Sequence, residues 1–494
     1  MSFTAFTFYP FLLLVFIINT LLPQKVRWVG LLLASYAFYA LVSPVFVPVL
    51  FACTAITYGC ARLIESTPDR RKKATWLRLG LILLISILLI FKYAAFWQSG
   101  LNLPESVRLL MPLGLSFYTL QTIGYLLDVF RGAAHAEKNP AKLALFVSFF
   151  PQIISGPIAR INQLLPQLLN PVLPGHDRLI RASVRIGWGL MKKLLLANRL
   201  AVIADAVFND PSGQPAPRLV AGILAFSLQI YIDFSAYTDI AIGTASLLGI
   251  DLVENFRQPY FAASPIEFWR RWHISLSNWL RDYIFLPLEF SSRRKHWKPL
   301  LFKNAHSPLL LAWRDNFYRI RNIMLTFLIS GLWHGADLTF LVWGGLHGAF
   351  QAGETLLAAA QKPRTPRHPK RRLFLQVVLT FCLVSLAWVF FRSHSLENAF
   401  IMLERIFTLQ GVFNGSSWSL SGMGLGGTER TLLIVLLIAF GISEYLENKT
   451  PLIERVIRQP LALRWAVFFV ALVSLFIFGY YGGSAYSQFL YFQF

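Results

Sequence analysis

Two histidines stand where a titratable ring is costly. His273 lies in Trp269-Arg270-Arg271-Trp272-His273-Ile274-Ser275, between two long hydrophobic spans. His334 lies in Ser330-Gly331-Leu332-Trp333-His334-Gly335-Ala336, inside an otherwise apolar run. A polar ring at membrane depth is expensive, so its default reading is functional. Imidazole, with an ordinary pKa of about 6.5, can act as general acid or base at neutral pH. Gly331 and Gly335 would let backbone or substrate come close to His334. The competing reading of His334 is a core histidine bonded to a helix carbonyl. For His273 the competitor is an interfacial polar network with Arg270, Arg271, Arg281 and Asp282, in which Trp269, Trp272 and Trp279 form an aromatic belt.

A third group, Tyr231-Ile232-Asp233-Phe234-Ser235-Ala236-Tyr237-Thr238-Asp239, puts two carboxylates and several hydroxyls inside a hydrophobic span. Asp233 and Tyr237 are four apart and share a helix face. Intramembrane acids line cavities or pair with bases; the partner expected here is one of the histidines or an arginine of the 270–281 segment. A proton path through a transporter would use the same residue types. There is no H-E-x-x-H, no Cys/His quartet and no G-x-S-x-G, so neither a metal site nor a serine nucleophile is indicated. Gly422-Met423-Gly424-Leu425-Gly426-Gly427 has dinucleotide-like glycines but follows no strand, which leaves a flexible loop.

The elements that must hold these groups are membrane helices. Of 494 residues, 55% are hydrophobic and 14% charged, against about 25% charged in soluble domains; mean hydropathy is +0.53. Apolar runs of spanning length fall near 3–22, 28–43, 45–61, 79–97, 109–130, 183–207, 218–249, 320–346, 373–391, 431–446 and 463–482. The expected fold is therefore an all-α polytopic membrane protein of about eleven transmembrane helices. The runs at 143–169 and 259–289, broken by Pro and Gly, read as re-entrant or short helices. The net charge of +22 sits in short connections such as Arg70-Arg71-Lys72-Lys73, Arg293-Arg294-Lys295 and Lys370-Arg371-Arg372. That placement marks a cytoplasmic face and suits lipid headgroups; it argues against nucleic acid. With Lys25 and Arg27 just after the first span, the N-terminus is expected outside.

The first span has no basic n-region or cleavage site and reads as a retained helix. Cys53, Cys60 and Cys382 lie in apolar runs without metal spacing, as packing residues do. Peripheral helices at 1–97 and 351–494 would flank a core at 98–350, with basic polar stretches at 291–319 and 361–372. No internal repeat is visible.

The motif series resembles the membrane-bound O-acyltransferases, in their bacterial alginate O-acetylation branch. It runs from about residue 109 to the end. It begins with Met111-Pro112-Leu113-Gly114-Leu115-Ser116-Phe117-Tyr118-Thr119 and continues through Phe149-Phe150-Pro151-Gln152 and Ser155-Gly156-Pro157-Ile158 to Gly189-Leu190-Met191-Lys192-Lys193. The segment 233–281 follows, with Glu254-Asn255-Phe256 and Pro259-Tyr260, then Gly331-Leu332-Trp333-His334-Gly335-Ala336. Trp388-Val389-Phe390-Phe391-Arg392 and Tyr491-Phe492-Gln493-Phe494 complete it.

The resemblance implies a bundle around a central funnel in a bacterial inner membrane, with His334 as the active-site histidine and His273 as the second functional one. It implies acyl transfer, usually of acetyl, from a cytoplasmic thioester (acetyl-CoA or an acyl carrier protein) toward an extracytoplasmic acceptor. An exported partner acetyltransferase and a polysaccharide acceptor are the implied partners, and no permanently bound cofactor is expected. His273 would orient the donor, Asp233, Tyr237 and Trp272 would line the funnel, and Trp333 or Asn278 would help stabilise an oxyanion. The basic stretch 291–319 would attract an acidic carrier or CoA phosphates, or plain lipid headgroups. Two departures from the branch stand out: Glu289 after Leu286-Pro287-Leu288, and Asp337-Leu338 after the hallmark histidine. Rival classes are a transporter or flippase of an acylated or lipid-linked substrate, and a scaffold for which both histidines are silent.

Overall fold

In a computed structural model the structure describes residues 3–94, 111–293, 307–360, 369–419, 421–447, 451–481 and 489–490. The motif 491–494, residues 294–306 of the basic stretch 291–319 and the greater part of 361–372 lie outside the described residues.

The described residues form helices and turns without strands. In chain order the helices are α1 (Phe8–Leu21), α2 (Arg27–Val42), α3 (Val47–Ser66), α4 (Arg70–Lys92), α5 (Leu115–Arg131), α6 (Pro140–Ser148) and α7 (Ile161–Leu169). They continue as α8 (His176–Met191), α9 (Asn198–Phe208), α10 (Ala216–Leu247), α11 (Pro265–Arg271), α12 (Ile274–Leu280), α13 (Leu286–Arg293) and α14 (Pro308–His334). The last are α15 (Leu338–Ala360), α16 (Pro369–Arg392), α17 (Leu396–Phe407), α18 (Gly427–Glu447), α19 (Leu452–Ile457) and α20 (Leu461–Phe478).

Local chemistry explains several of the boundaries. Asp69 caps α4, its carboxylate accepting from Arg71 N–H. Asn139 does the same for Ala141 N–H at the start of α6, with Pro140 at the first helical position. Both supply an acceptor to an otherwise orphaned helix N–H. The run 143–169 holds two nine-residue helices, α6 and α7, joined by turns. The run 259–289 holds the seven-residue α11 and α12, a π-helical turn at Arg281–Phe285 and α13.

Among the described residues six helices are long and apolar enough to cross a membrane: Gln24–Val42, Pro44–Ser66, Arg70–Lys92, Ala216–Leu247, Lys370–Arg392 and Leu461–Phe478. Several of the other runs are helical yet fall short of that measure. The run 183–207 is divided by a π-helical segment, Lys192–Ala197. The first half of α14 carries Arg314, Asp315, Arg319 and Arg321. The first apolar helix, α1, has only 14 residues. The helix Leu461–Phe478 buries none of its residues against protein, whereas 78% of the most apolar window of Ala216–Leu247 is buried. The former is the face a bilayer would cover, and the latter is core.

The chain divides into two compact units that interleave in sequence. Unit 1 is Met1–Asn198, Ile232–Glu254 and Tyr445–Phe494; unit 2 is Arg199–Tyr231 and Asn255–Glu444.

Candidate active site

Unit 2 holds both histidines. The one at 273 is set by a broken helix pair. Ser264 caps α11 by accepting from Glu267 N–H at 3.2 Å, and Glu267 in turn accepts from Ala263 N–H at 2.8 Å. The helix stops after seven residues because Trp272 is extended and His273 is left-handed, at φ 41° and ψ 55°. A left-handed non-glycine costs of order 1–3 kcal/mol and persists only where its surroundings over-determine it.

Here the over-determining residue is Asn255. Its backbone carbonyl accepts from Ile274 N–H at 2.9 Å. Its Oδ1 accepts from Ser275 N–H at 3.1 Å and Ser275 Oγ at 2.9 Å, and lies 3.2 Å from His273 Nδ1. An atom that accepts from a backbone N–H is the amide oxygen, so Nδ1 of His273 carries the proton and the neutral ring keeps its lone pair on Nε2. Of the charges that the sequence places near His273, four form two ion pairs. Arg271 pairs with Glu267 at 2.5 Å and Arg281 with Asp282 at 2.8 Å.

His334 is the last residue of α14, and α15 folds back along that helix. Close approach is what the glycines provide. A Cβ on Gly331 would lie 2.4 Å from Phe340 O, and one on Gly335 would lie 2.1 Å from the Phe340 ring. The space beside His334 that the sequence left open to substrate or backbone is therefore taken by α15.

This packing brings the Trp343 ring to 4.9 Å from His334, edge-on, with Trp333 at 4.7 Å and Phe391 of α16 at 5.2 Å. Aromatic contacts continue from Trp343 to Trp388 (5.8 Å, stacked), then to Trp272 (5.1 Å) and Phe256 (5.0 Å), which lies 6.5 Å from His273. One aromatic layer thus runs between the two histidines. Trp272 is buried in that layer, Trp333 is half-buried beside His334, and Asn278 is half-buried on α12.

A third histidine, His347, sits in the same layer and went unnoticed in the sequence. So did Asn255 as the clamp of His273. Neither has a local spacing signal: Asn255 is 18 residues from the ring it holds, and His347 lies within an ordinary helical run. Glu289, one of the two departures, accepts from Asn322 Nδ2 at 3.1 Å and ties α13 to α14. The other, Asp337-Leu338, is exposed.

Asp233 and Tyr237 belong to unit 1. The partner of Asp233 is neither a histidine nor an arginine: Lys193 Nζ lies 2.6 Å from Oδ1, and Leu490 N–H donates to Oδ2 at 2.6 Å. The π-helical segment from Lys192 explains the difference. Its widened turn lets adjacent lysines both reach the 233–239 stretch, Lys193 at Asp233 and Lys192 at Asp239 (2.5 Å) and Ser235 (2.9 Å). Arg185 adds contacts to Asp239 at 3.0 Å and to Glu254 at 2.5 Å. Tyr237 accepts from Ser155 N–H at 3.2 Å, and its ring meets Phe3 and Phe489. Among the described residues no group of His, Cys, Asp and Glu has the arrangement of a metal site.

The membrane-bound O-acyltransferase family model matches residues 77–302 and 300–394, which include the whole aromatic layer and both predicted histidines. The chain is 36% identical over 430 residues to the probable alginate O-acetylase AlgI of Azotobacter vinelandii, covering 85% of this chain and 79% of that protein. It is 34% identical over 453 residues to the protein of the same name in Pseudomonas aeruginosa, covering 87% and 79%. Over 436 residues it is 34% identical to the peptidoglycan O-acetyltransferase of Helicobacter pylori, covering 81% and 77%. Helices apolar enough to span a bilayer, a buried histidine layer and matches of this extent converge on one conclusion: the chain belongs to the membrane-bound O-acyltransferase family and is an integral membrane acyltransferase.

Proposed function

We propose that the protein moves an acetyl group from a cytoplasmic thioester, acetyl-CoA or an acyl carrier protein, toward an extracytoplasmic acceptor. His334 is the general base. It takes the proton of an attacking hydroxyl as the C–O bond forms and returns it to the thiolate as the C–S bond breaks, so no proton is gained or lost overall. The observation that carries this reading is the burial of the His334 ring at a helix end, packed by Trp333, Trp343 and Phe391. A dry aromatic surround strengthens electrostatic interactions with the reacting atoms and excludes water that would hydrolyse the thioester.

His273 has its Nδ1–H fixed by Asn255, and it orients the donor through Nε2. Trp272 walls the donor path. Asn278 and Trp333 are the candidates to stabilise the oxyanion. Asp233 and Tyr237, already engaged by Lys193, Leu490 and Ser155, enter as funnel wall rather than as acid or base. The bundle of about eleven spans around a central funnel, the bacterial inner-membrane location and an exported partner acetyltransferase belong to the same proposal. The names of the relatives, an alginate O-acetylase and a peptidoglycan O-acetyltransferase, support a polysaccharide or peptidoglycan acceptor.

The test is consumption of acetyl-labelled acetyl-CoA by the purified protein in vesicles, with wild type set beside His334→Ala. Label leaving CoA in the wild type alone supports the assignment. Equal consumption by a folded His334→Ala protein removes His334 from the chemistry.

A further inference from the structure

His347 is fully buried on α15, one helical turn beyond Trp343. Its Nδ1 lies 3.2 Å from Trp269 Nε1. An indole N–H can only donate, so Nδ1 must accept and the neutral ring carries its proton on Nε2. The ring is held on every side by aromatic neighbours. Phe268 stacks on it at 6.2 Å and 9°, Phe327 stacks at 6.1 Å and 26°, and Trp343 meets it at 5.0 Å and 71°. Its Nε2 has no hydrogen-bond partner among the described residues. A buried unmatched donor is costly, and a phenylalanine of similar shape would avoid the cost. The group that distinguishes histidine from phenylalanine here, and that is engaged, is the acceptor Nδ1.

Trp343 stands between two imidazoles, edge-on to His334 at 4.9 Å and to His347 at 5.0 Å. On one side of His347 lies α11, whose end sets His273; on the other lies the indole that packs His334. We propose that His347 is a positioning residue for acyl transfer: through the bond from Trp269 it locks α11 to α15 and thereby holds Trp343 against the His334 imidazole. This rests on His334 being the reacting base. The lock requires an unprotonated Nδ1 and a donor at position 269, and it requires no contact between His347 and substrate.

The experiment measures steady-state acetyl-CoA consumption by the full-length protein in vesicles. His347→Phe keeps the ring and removes the acceptor; His347→Asn places an amide oxygen near Nδ1 and sacrifices the ring; Trp269→Phe removes the donor. Displacing a catalytic group by about 1 Å can cost on the order of 10²-fold. His347→Phe and Trp269→Phe are therefore expected to lower kcat by up to that factor at unchanged KM for the donor, and His347→Asn to recover most of the rate. Because the two side chains act as one bond, adding His347→Phe to Trp269→Phe should cost little more. Wild-type kcat in His347→Phe would overturn the proposal. So would a silent Trp269→Phe beside two equally impaired His347 variants, since the ring would then matter only as filler. An active His334→Ala would instead remove the base on which the proposal rests, a result separable from any of these.

Discussion

The two units differ in how they bury polar groups near the candidate site, although unit 2 has ion pairs of its own in Arg199–Glu429 and Arg392–Asp205. In unit 1 the buried Lys193 pairs with the buried Asp233, and the buried Lys192 and half-buried Arg185 pair with the half-buried Asp239 and Glu254. In unit 2 the buried imidazoles of His334 and His347 are packed by tryptophan and phenylalanine rings, and that of His273 lies against the Asn255 amide with Phe256 nearby. Coulombic partners inside protein hold charges in one state, and breaking such a pair leaves an uncompensated buried charge. Aromatic rings hold an imidazole in place by packing rather than by Coulombic pairing. The comparison teaches that ion pairing and aromatic packing are two different ways of burying ionisable groups in apolar surroundings.

That contrast can be broken by substitution. The largest effect is expected from His334→Ala. Loss of a general base costs about 10²–10⁴-fold in rate, so label transfer from acetyl-CoA should fall by that range while detergent-solubilised yield and melting stay near wild type. Lys193→Ala should reverse the pattern. Stranding Asp233 without its cation costs about 3–5 kcal/mol, which thermal melting in detergent would register. The paired replacement Lys193→Met with Asp233→Leu should regain much of that stability. Asn255→Ala sharpens the picture within unit 2. It removes one oxygen that three groups share, at a cost of about 1–3 kcal/mol per stranded buried group; melting should fall, and activity should fall further than the folded fraction does. The smallest effect belongs to Arg281→Ala. Its pair with Asp282 is more than half exposed on the arginine side, and such pairs contribute about 0–1 kcal/mol; a shift above that in melting would mean that the segment is more enclosed than its exposure indicates.

The sequence made His334 and His273 conspicuous because a titratable ring in an apolar run stands out on composition alone. The all-helical membrane class was legible for the same reason, as was the break into short helices at 259–289, which Pro259, Pro265 and Pro287 announce. What stayed hidden depends on contacts across the fold. Lys193 reaches Asp233 through a π-helical turn that no apolar periodicity signals. Asn255 fixes the left-handed backbone at His273 from another loop. His347 reads as one polar residue in a glycine-rich helix until Trp269 is brought to it by tertiary packing. Of the eleven apolar runs, those with charges within α14 or with the break at Lys192 fall below the spanning measure that six helices among the described residues meet.

The central claim is that the histidines of unit 2 do the chemistry and the ion pairs of unit 1 hold the fold. The most direct measurement is acetyl-CoA thioester cleavage per folded molecule, made on His334→Gln and on the paired Lys193→Met, Asp233→Leu protein in the same vesicles. The account predicts at least about a 10²-fold loss in the first and a rate close to wild type in the second. Cleavage that survives in His334→Gln, or that vanishes in a stably folded Lys193→Met, Asp233→Leu protein, would contradict it.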